Sequence, residues 1–173
     1  REGGSPVAAR VGNMRELLEI ALLKGEILRD RDGAVECLQR VLEEDPHNYL
    51  AISRLEMILR EGGKLKQLAG ILEIESKAHS DISESIACIL ESEDIWRSIF
   101  GDYHKADRLL EEASTLNPED PAVLVVKLMA YSGVDDLVGL SSVFEALYRR
   151  RTTGPLASLW LTELGIVLEC EGK

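Results

Sequence analysis

The stretch AVECLQRVLEEDP, from Ala34 to Pro46, occurs a second time in altered form as ADRLLEEASTLNP, from Ala106 to Pro118. A shift of 72 residues places Ala34 on Ala106 and Pro46 on Pro118. Self-similarity at a fixed spacing is typical of proteins built from stacked repeats, in which each repeat contacts mainly its neighbours. The duplicated block therefore predicts a repeat architecture.

Two weaker units complete the series, one starting at Leu68 and one starting near Val138. Together with Ala34 and Ala106 they give steps of 34, 38 and about 32 residues, which fits a pair of helices per repeat. A glycine precedes each unit, which makes the four units equivalent at this point. These glycines are Gly33, Gly63, Gly101 and Gly133.

The apolar residues of each unit have the spacing of an amphipathic α-helix. Ala34, Leu38 and Val41, for example, lie at i, i+4 and i+7 and so share one face. All five prolines fall outside or at the edges of the predicted helices, whose interiors a proline would destabilise by about 3 kcal/mol. The β-like run 123–126 continues into an apolar stretch too long for a typical strand, so we predict a helix there. The predicted helices are 14–29, 33–44, 47–61, 64–78, 81–100, 102–116, 120–132, 135–150 and 155–170.

Composition sets limits on the class of protein. The 173 residues are 45% apolar and 5% aromatic, which suits one domain or one short solenoid of thin helical layers. We expect residues 1–12 to be a flexible N-terminal lead-in and residues 13–173 to be the repeat domain. Because the chain starts at Arg1 rather than Met, we also expect it to be a piece of a longer protein. The three cysteines are odd in number and far apart, which favours reduced thiols and a cytoplasmic location.

The formal net charge of −11 argues against binding to nucleic acid or to an anionic membrane surface, since both would repel the chain. It is compatible with a basic protein partner, although acidity also serves solubility alone. No apolar run reaches the 18 residues that indicate a membrane span.

The sequence lacks the side-chain patterns of catalysis or of cofactor binding. No two of His47, His79 and His104 share a helical face at i, i+4 spacing, so we predict surface or capping roles and no metal site. The acidic clusters are interpreted as solvated helix faces. No glycine-rich phosphate loop lies between a strand and a helix. We therefore expect no cofactor and no enzymatic activity.

The run Gly101-Asp102-Tyr103-His104-Lys105-Ala106, followed by Leu110, Ala113 and Pro118, resembles the turn and second helix of a tetratricopeptide repeat. Ala34, Leu38, Val41 and Pro46 match the same positions in the first unit, whereas the second and fourth units match less closely. This resemblance implies an all-α fold, a right-handed solenoid of about four helix-turn-helix repeats plus a C-terminal helix. It also implies that the first helices of the repeats line a concave groove that binds a peptide or a partner helix.

Alignment with the family assigns candidate groove positions on two of the first helices. The alternative is that Met57, Cys88 and Ile95 belong to the core. Near Glu19 and Leu23 the family's carboxylate-binding Lys and Asn are missing, which argues against a chaperone-tail adaptor. The candidate groove residues are Ser53, Met57, Arg60, Cys88, Glu91, Ile95 and Ser98.

The predicted C-terminal helix is apolar on nearly every side, although the last helix of a solenoid needs a polar outer face. Either further repeats follow it or two copies of the chain pair through it as a homodimer. The candidate self-association residues are Leu156, Trp160, Leu164 and Val167.

Three functions remain open at this point. The favoured one is a non-enzymatic scaffold for protein–protein interaction. The alternative is a structural or oligomerisation spacer within a larger repeat protein. An enzyme would require a cluster of polar groups that the sequence does not indicate.

Overall fold

The computed structural model describes residues 6–132, 136–150, 162 and 166. These residues form eight α-helices and contain no β-strand, so the expected all-α fold is confirmed. The run 123–126 lies inside a helix, as predicted, whereas the predicted helix 155–170 falls largely outside the described residues. The helices are α1 (Pro6–Leu22), α2 (Arg31–Glu44), α3 (Tyr49–Glu61), α4 (Leu65–Ala78), α5 (Ile82–Asp94), α6 (Tyr103–Leu116), α7 (Pro121–Ser132) and α8 (Leu137–Arg150).

The first helix begins well before its predicted start at residue 14. Pro6 opens α1, and proline is well tolerated in a first helical turn because its missing N–H would have no partner there. Residues 6–12 are therefore helical, and the proposed division between lead-in and repeat domain stays a prediction.

The 72-residue duplication is visible in the local structure. α2 and α6 both have 14 residues and lie 72 positions apart at both ends. Their N-caps, Asp30 and Asp102, also lie 72 apart, and each accepts a hydrogen bond from the backbone N–H three residues later, at 2.9 and 3.0 Å. Such caps satisfy N–H groups that the first helical turn leaves without partners. The sequence similarity thus corresponds to identical helix boundaries and equivalent caps.

The four second helices, α2, α4, α6 and α8, begin at residues 31, 65, 103 and 137, which gives steps of 34, 38 and 34. The predicted start of the fourth unit near Val138 is therefore wrong. Leu140 occupies the position equivalent to Ala34 and is 9% exposed, whereas Val138 is 65% exposed. Only burial identifies the equivalent residue here, because this repeat has a leucine where the first and third repeats have an alanine.

The equivalence of the glycines that precede the units does not hold in the first repeat. Gly63 and Gly101 have φ of +63° and +65° and end the helices that precede α4 and α6. The corresponding residue before α2 is Arg29, with φ of +56°, and Gly33 lies inside α2. The left-handed conformation that follows a helix is the shared feature of these turns, and glycine merely adopts it most easily.

Two of the first helices continue into short π-turns, Leu23–Ile27 after α1 and Ile95–Ile99 after α5. Each π-turn closes through an i to i−5 hydrogen bond, from Leu28 N–H to the Leu23 carbonyl at 3.1 Å and from Phe100 N–H to the Ile95 carbonyl at 3.3 Å. α3 has no such extension. These additional turns lengthen the first helices of the first and third repeats.

The chain divides into two compact units, Arg1–Gly101 and Asp102–Lys173. In the first unit, α2 packs against α1 and α3, and α4 packs against α3 and α5. Leu38, Ile52, Leu55 and Leu68 are among its fully buried side chains. Neither helix of a hairpin could bury its apolar face alone, so this packing is the main source of stability for the unit.

In the second unit, α7 packs against α6 and α8. Its core contains Leu124 from α7 and Val143, Phe144 and Leu147 from α8. No helix among the described residues is long and apolar enough to cross a membrane.

Candidate functional site

A cavity of about 330 Å³ opens between α1 and α3 in the first unit. Its apolar lining includes Leu18 and Leu22 of α1 and Leu50, Met57 and Ile58 of α3. Leu50 and Met57 are 48% and 44% exposed, so the cavity has an apolar wall that is open to solvent. Clefts of this size with apolar walls are suited to holding one or two side chains of a ligand.

Charged side chains surround this cavity. Arg54 pairs with Glu26 at 3.2 Å, and Arg31 pairs with Glu61 at 3.0 Å. These pairs connect α3 to the π-turn after α1 and to α2. Because all four side chains are substantially exposed, the pairs contribute little stability and can exchange for contacts with a ligand.

Of the predicted groove residues, only Met57 lines the cavity. Ser53 is half-buried, and its hydroxyl donates to the Leu50 carbonyl at 3.3 Å. Ser98 is exposed and donates to Asp94 at 2.7 Å. Ile95 is 5% exposed and packs in the core, which agrees with the alternative interpretation and removes it from any binding face.

Arg60 and Glu91, both predicted groove residues, are direct partners. The Arg60 guanidinium donates to both carboxylate oxygens of Glu91, at 2.6 and 3.2 Å, and to Glu56 at 2.6 Å. Hydrogen bonds to Glu91 and then to Glu56 hold the pKa of Arg60 above its ordinary value. This arrangement ties α3 to α5 on the side that carries the predicted groove residues.

Cys88, the remaining predicted groove residue, belongs to a polar cluster with Glu75 and His79. One ligand-type atom from each of the three side chains lies within 4.8 Å of the other two. His79 lies between two carboxylates, with Nδ1 at 2.9 Å from Glu84 and Nε2 at 3.7 Å from Glu75. His79 is the C-cap residue of α4, so its predicted capping role is confirmed, and its side chain, at 17% exposed, lies largely inside the cluster.

Burial raises the pKa of the Cys88 thiol to about 11, and the carboxylates of Glu75 and Glu56 add to this shift. Burial likewise raises the pKa of Glu75, and the charge of Glu56 acts in the same direction. A thiol with so high a pKa is protonated at neutral pH and is a poor nucleophile. The cluster does not have the electrostatics of a cysteine hydrolase, in which the thiol pKa is lowered.

The sequence did not predict that Leu18, Leu22 and Leu50 line a cavity. Their spacing indicates only an apolar face, and the gap between α1 and α3 depends on how α2 holds the two helices. It also missed the cluster, although Glu75 lies in the last turn of a predicted helix and His79 directly follows that helix, four residues later. The spacing rule for histidine pairs does not cover a pair of one glutamate and one histidine. The proximity of Cys88 could not be deduced from spacing at all.

The four candidate self-association residues lie outside the described residues. Leu156, Trp160, Leu164 and Val167 therefore stay predictions from the sequence.

Comparison with known proteins supports the fold assignment. No protein family profile matches the chain, and no curated protein matches its sequence. Among solved structures, the chain is similar to a tetratricopeptide repeat protein from Parabacteroides merdae ATCC 43184, with a TM-score of 0.54 and 19% identity over 91% of this chain. It is also similar to the MamA protein, with a TM-score of 0.52 and 17% identity over 94% of this chain and 84% of that one.

The chain spans 61% of the length of the Parabacteroides merdae protein. The successive helical hairpins, their spacing of 34 to 38 residues and these structural neighbours together define a tetratricopeptide-like helical repeat fold.

Proposed function

We propose that the chain is a non-enzymatic scaffold that binds a peptide segment of a partner protein at the cavity between α1 and α3. The observation that carries this proposal is the cavity itself, because it is a concave site that is open to solvent and lined by exposed apolar side chains. Large apolar side chains that remain exposed around a concave site are typical of binding surfaces. An apolar side chain of the partner would fill the space beside Met57 and Leu50.

The charges around the cavity support a peptide rather than a small apolar molecule as the ligand. Glu26, Arg54, Arg31 and Glu61 offer both signs of charge within reach of the main chain or side chains of a bound segment. The net charge of −11 favours the approach of a basic segment through long-range attraction. Binding of such a segment weakens as salt concentration rises.

Selection from a phage-displayed peptide library on the intact chain would supply a peptide ligand, whatever the natural partner is. The affinity of a selected peptide is then measured by fluorescence anisotropy for the wild type and for Met57→Asp. A charge at Met57 places an ionised group against the apolar wall, and we expect at least about a tenfold loss of affinity. Sequencing of the selected peptides shows whether basic residues are enriched around an apolar anchor.

Met129→Asp is the matched control, since Met129 is a methionine of the compact unit Asp102–Lys173, outside the cavity, and is 70% exposed. We expect this variant to bind the peptide as tightly as the wild type. Equal affinity of Met57→Asp and the wild type would refute the proposed site. A library that yields no binder would instead favour the role of a structural spacer.

A further inference from the structure

Glu75, His79 and Cys88 form a cluster whose chemistry the peptide-binding role does not use. Glu75 lies in the last turn of α4, His79 is the C-cap residue of that helix, and Cys88 lies close to both on α5. Carboxylate oxygen, imidazole nitrogen and thiolate sulfur are the three donor types that zinc binds in proteins. We propose that these three side chains form a binding site for Zn²⁺ or a similar borderline divalent transition metal.

The distances fit three corners of a tetrahedral site. Zinc lies about 2.0–2.3 Å from oxygen, nitrogen and sulfur ligands, so two of its ligand atoms are roughly 3.3–3.8 Å apart. Nε2 of His79 and Oε1 of Glu75 are 3.7 Å apart, too far for a hydrogen bond and at the separation of two ligands of one ion. The Cys88 sulfur lies within 4.8 Å of a carboxylate oxygen of Glu75 and of a ring nitrogen of His79, so the three side chains converge on one point.

The orientation of His79 supports a metal site independently of these distances. Its Nδ1 lies 2.9 Å from the carboxylate of Glu84, a hydrogen-bond distance. Metal-binding histidines commonly donate their second ring nitrogen to a carboxylate, which fixes the ring and leaves the other nitrogen as a free lone pair. The Tyr49 ring meets the His79 ring edge-on at 6.5 Å and further restricts it. Nε2 is thereby directed toward Glu75.

Glu75 provides a further reason to expect a cation. Its side chain is only 9% exposed, and the nearest basic atom among the described residues is Nε2 of His79 at 3.7 Å. The ionised form of a buried carboxylate is costly unless a cation pairs with it, and His79 only partly opposes the burial that raises the pKa of Glu75. The neighbouring Glu56 and Glu91 add negative potential, which Arg60 offsets only in part. A divalent ion would satisfy Glu75 and stabilise the thiolate of Cys88.

The donor set favours Zn²⁺ and Co²⁺ over Mg²⁺ and Ca²⁺, which prefer oxygen ligands alone. Three protein ligands leave a fourth position for water or for a side chain from a partner. The metal would link the end of α4 to α5 and so stabilise the folded state, to which alone the assembled site belongs.

The proposal is tested by titrating tag-free protein with Co²⁺, which replaces Zn²⁺ and reports on its ligands by absorption. We expect one ion per chain, a thiolate-to-cobalt charge-transfer band, displacement by Zn²⁺ and a raised melting temperature. Cys88→Ser should abolish the charge-transfer band, and His79→Gln should weaken binding at least about tenfold. His104→Gln, which changes an exposed histidine, and Cys37→Ala, which changes the other described thiol, should leave binding unchanged.

Glu84→Gln makes the result independent of folding defects, because the Glu84 side chain is 62% exposed. Glutamine still accepts a hydrogen bond from Nδ1 of His79 but carries no charge, so only the carboxylate charge that raises the basicity of the imidazole is lost, and we expect a weaker site. Absence of a saturable Co²⁺ spectrum in the wild type would overturn the proposal. Equal binding by the wild type, Cys88→Ser and Glu84→Gln would overturn it as well. These measurements need no peptide, so they are independent of the proposed scaffold function.

Discussion

Arg29 has the left-handed backbone conformation that Gly63 and Gly101 adopt at equivalent turns, with φ of +56° against +63° and +65°. For a residue with a Cβ this conformation costs roughly 1–2 kcal/mol, because the side chain approaches the following carbonyl. The first repeat therefore tolerates a local strain that the next two avoid. Since Arg29 also lines the cavity, its retention is compatible with a role in binding.

We predict that Arg29→Gly stabilises the chain by up to about 1 kcal/mol, because glycine adopts positive φ without the steric cost but loses more entropy on folding. Urea denaturation followed by circular dichroism measures this change. A lower stability of Arg29→Gly would show that contacts of the arginine side chain outweigh the backbone strain.

Two glycine substitutions serve as matched controls for the backbone argument. A Cβ added at Gly101 or at Gly70 meets no atom within 4 Å, so neither substitution creates a clash. Gly101→Ala should destabilise the chain by about 1 kcal/mol because of its positive φ. Gly70→Ala, in the interior of α4, should stabilise it by about 0.5–1 kcal/mol.

Asp30 makes the stability of the folded chain depend on pH, and the direction of this dependence follows from the shift of its pKa. The backbone N–H of Gly33 holds the pKa of Asp30 below its ordinary value of 3.8; desolvation opposes this shift and Lys24 assists it. The folded state therefore binds a proton less readily than the unfolded chain. The resulting stabilisation is complete above pH 3.8 and is lost as the pH falls through the lower folded-state pKa.

We predict that the advantage of the wild type over Asp30→Asn, measured as the difference between their urea midpoints, shrinks as the pH falls below 3.8. Asparagine still accepts the capping hydrogen bond but carries no charge, so only the ionic part is removed. Because both proteins contain the same other carboxylates, the titration of those groups cancels in the difference between the two urea midpoints. A difference that stays constant with pH would contradict the assigned cause.

At the scale of the element, α3 shows how one helix divides its faces. Leu55 is fully buried against the neighbouring helices, whereas Met57, two residues later, is 44% exposed at the cavity. Residues two apart on a helix point in widely different directions, so the core and the binding face are separate sets of side chains.

We predict that Leu55→Ala lowers the free energy of unfolding by about 2–5 kcal/mol, because it leaves a void in a packed core. Met57→Ala on the same helix should change it by less than about 1 kcal/mol. Thermal and urea denaturation of both variants would measure the contrast. Equal losses would place Met57 in the core and remove it from the proposed binding face.

The junction of α4 and α5 depends on buried polar groups as well as apolar ones. The Ser92 hydroxyl is fully buried and donates to the Ala69 carbonyl at 3.1 Å, and Trp96 donates to Glu73 at 3.3 Å. Such hydrogen bonds contribute little net stability but are costly to break, so they fix the register of the two helices. That register brings Cys88 to Glu75 and His79.

At the scale of the whole molecule, the sequence predicts that two copies of the chain associate. The proposed pairing through residues 155–170 rests on sequence alone. We predict that Trp160→Glu abolishes any concentration-dependent increase in mass seen for the wild type by analytical ultracentrifugation. Ser158→Glu adds the same charge at a polar position of that segment and should leave the association unchanged. A wild type that remains monomeric at all concentrations would contradict the pairing.

Much of the repeat organisation was predictable from the sequence, for a local reason. Asp30 and Asp102 cap helices of equal length, and the buried Ala34 and Ala106 follow each cap at the same distance. Caps, turns and apolar periodicity act over a few residues, so they are encoded in short stretches of chain. The correction at Leu140 shows the limit, because a unit without the small residue needs burial to fix its register.

The sequence by itself determined the all-helical character of the chain, its two-helix period and the burial of the apolar faces, since these follow from local geometry and solvent exclusion. Only the tertiary structure decided which side chains meet across helices. The cavity beside Met57 depends on the separation of α1 from α3, and the Glu75–His79–Cys88 cluster depends on how α5 packs against α4. Both are set by the summed packing of many side chains, in which no single residue carries a recognisable signal.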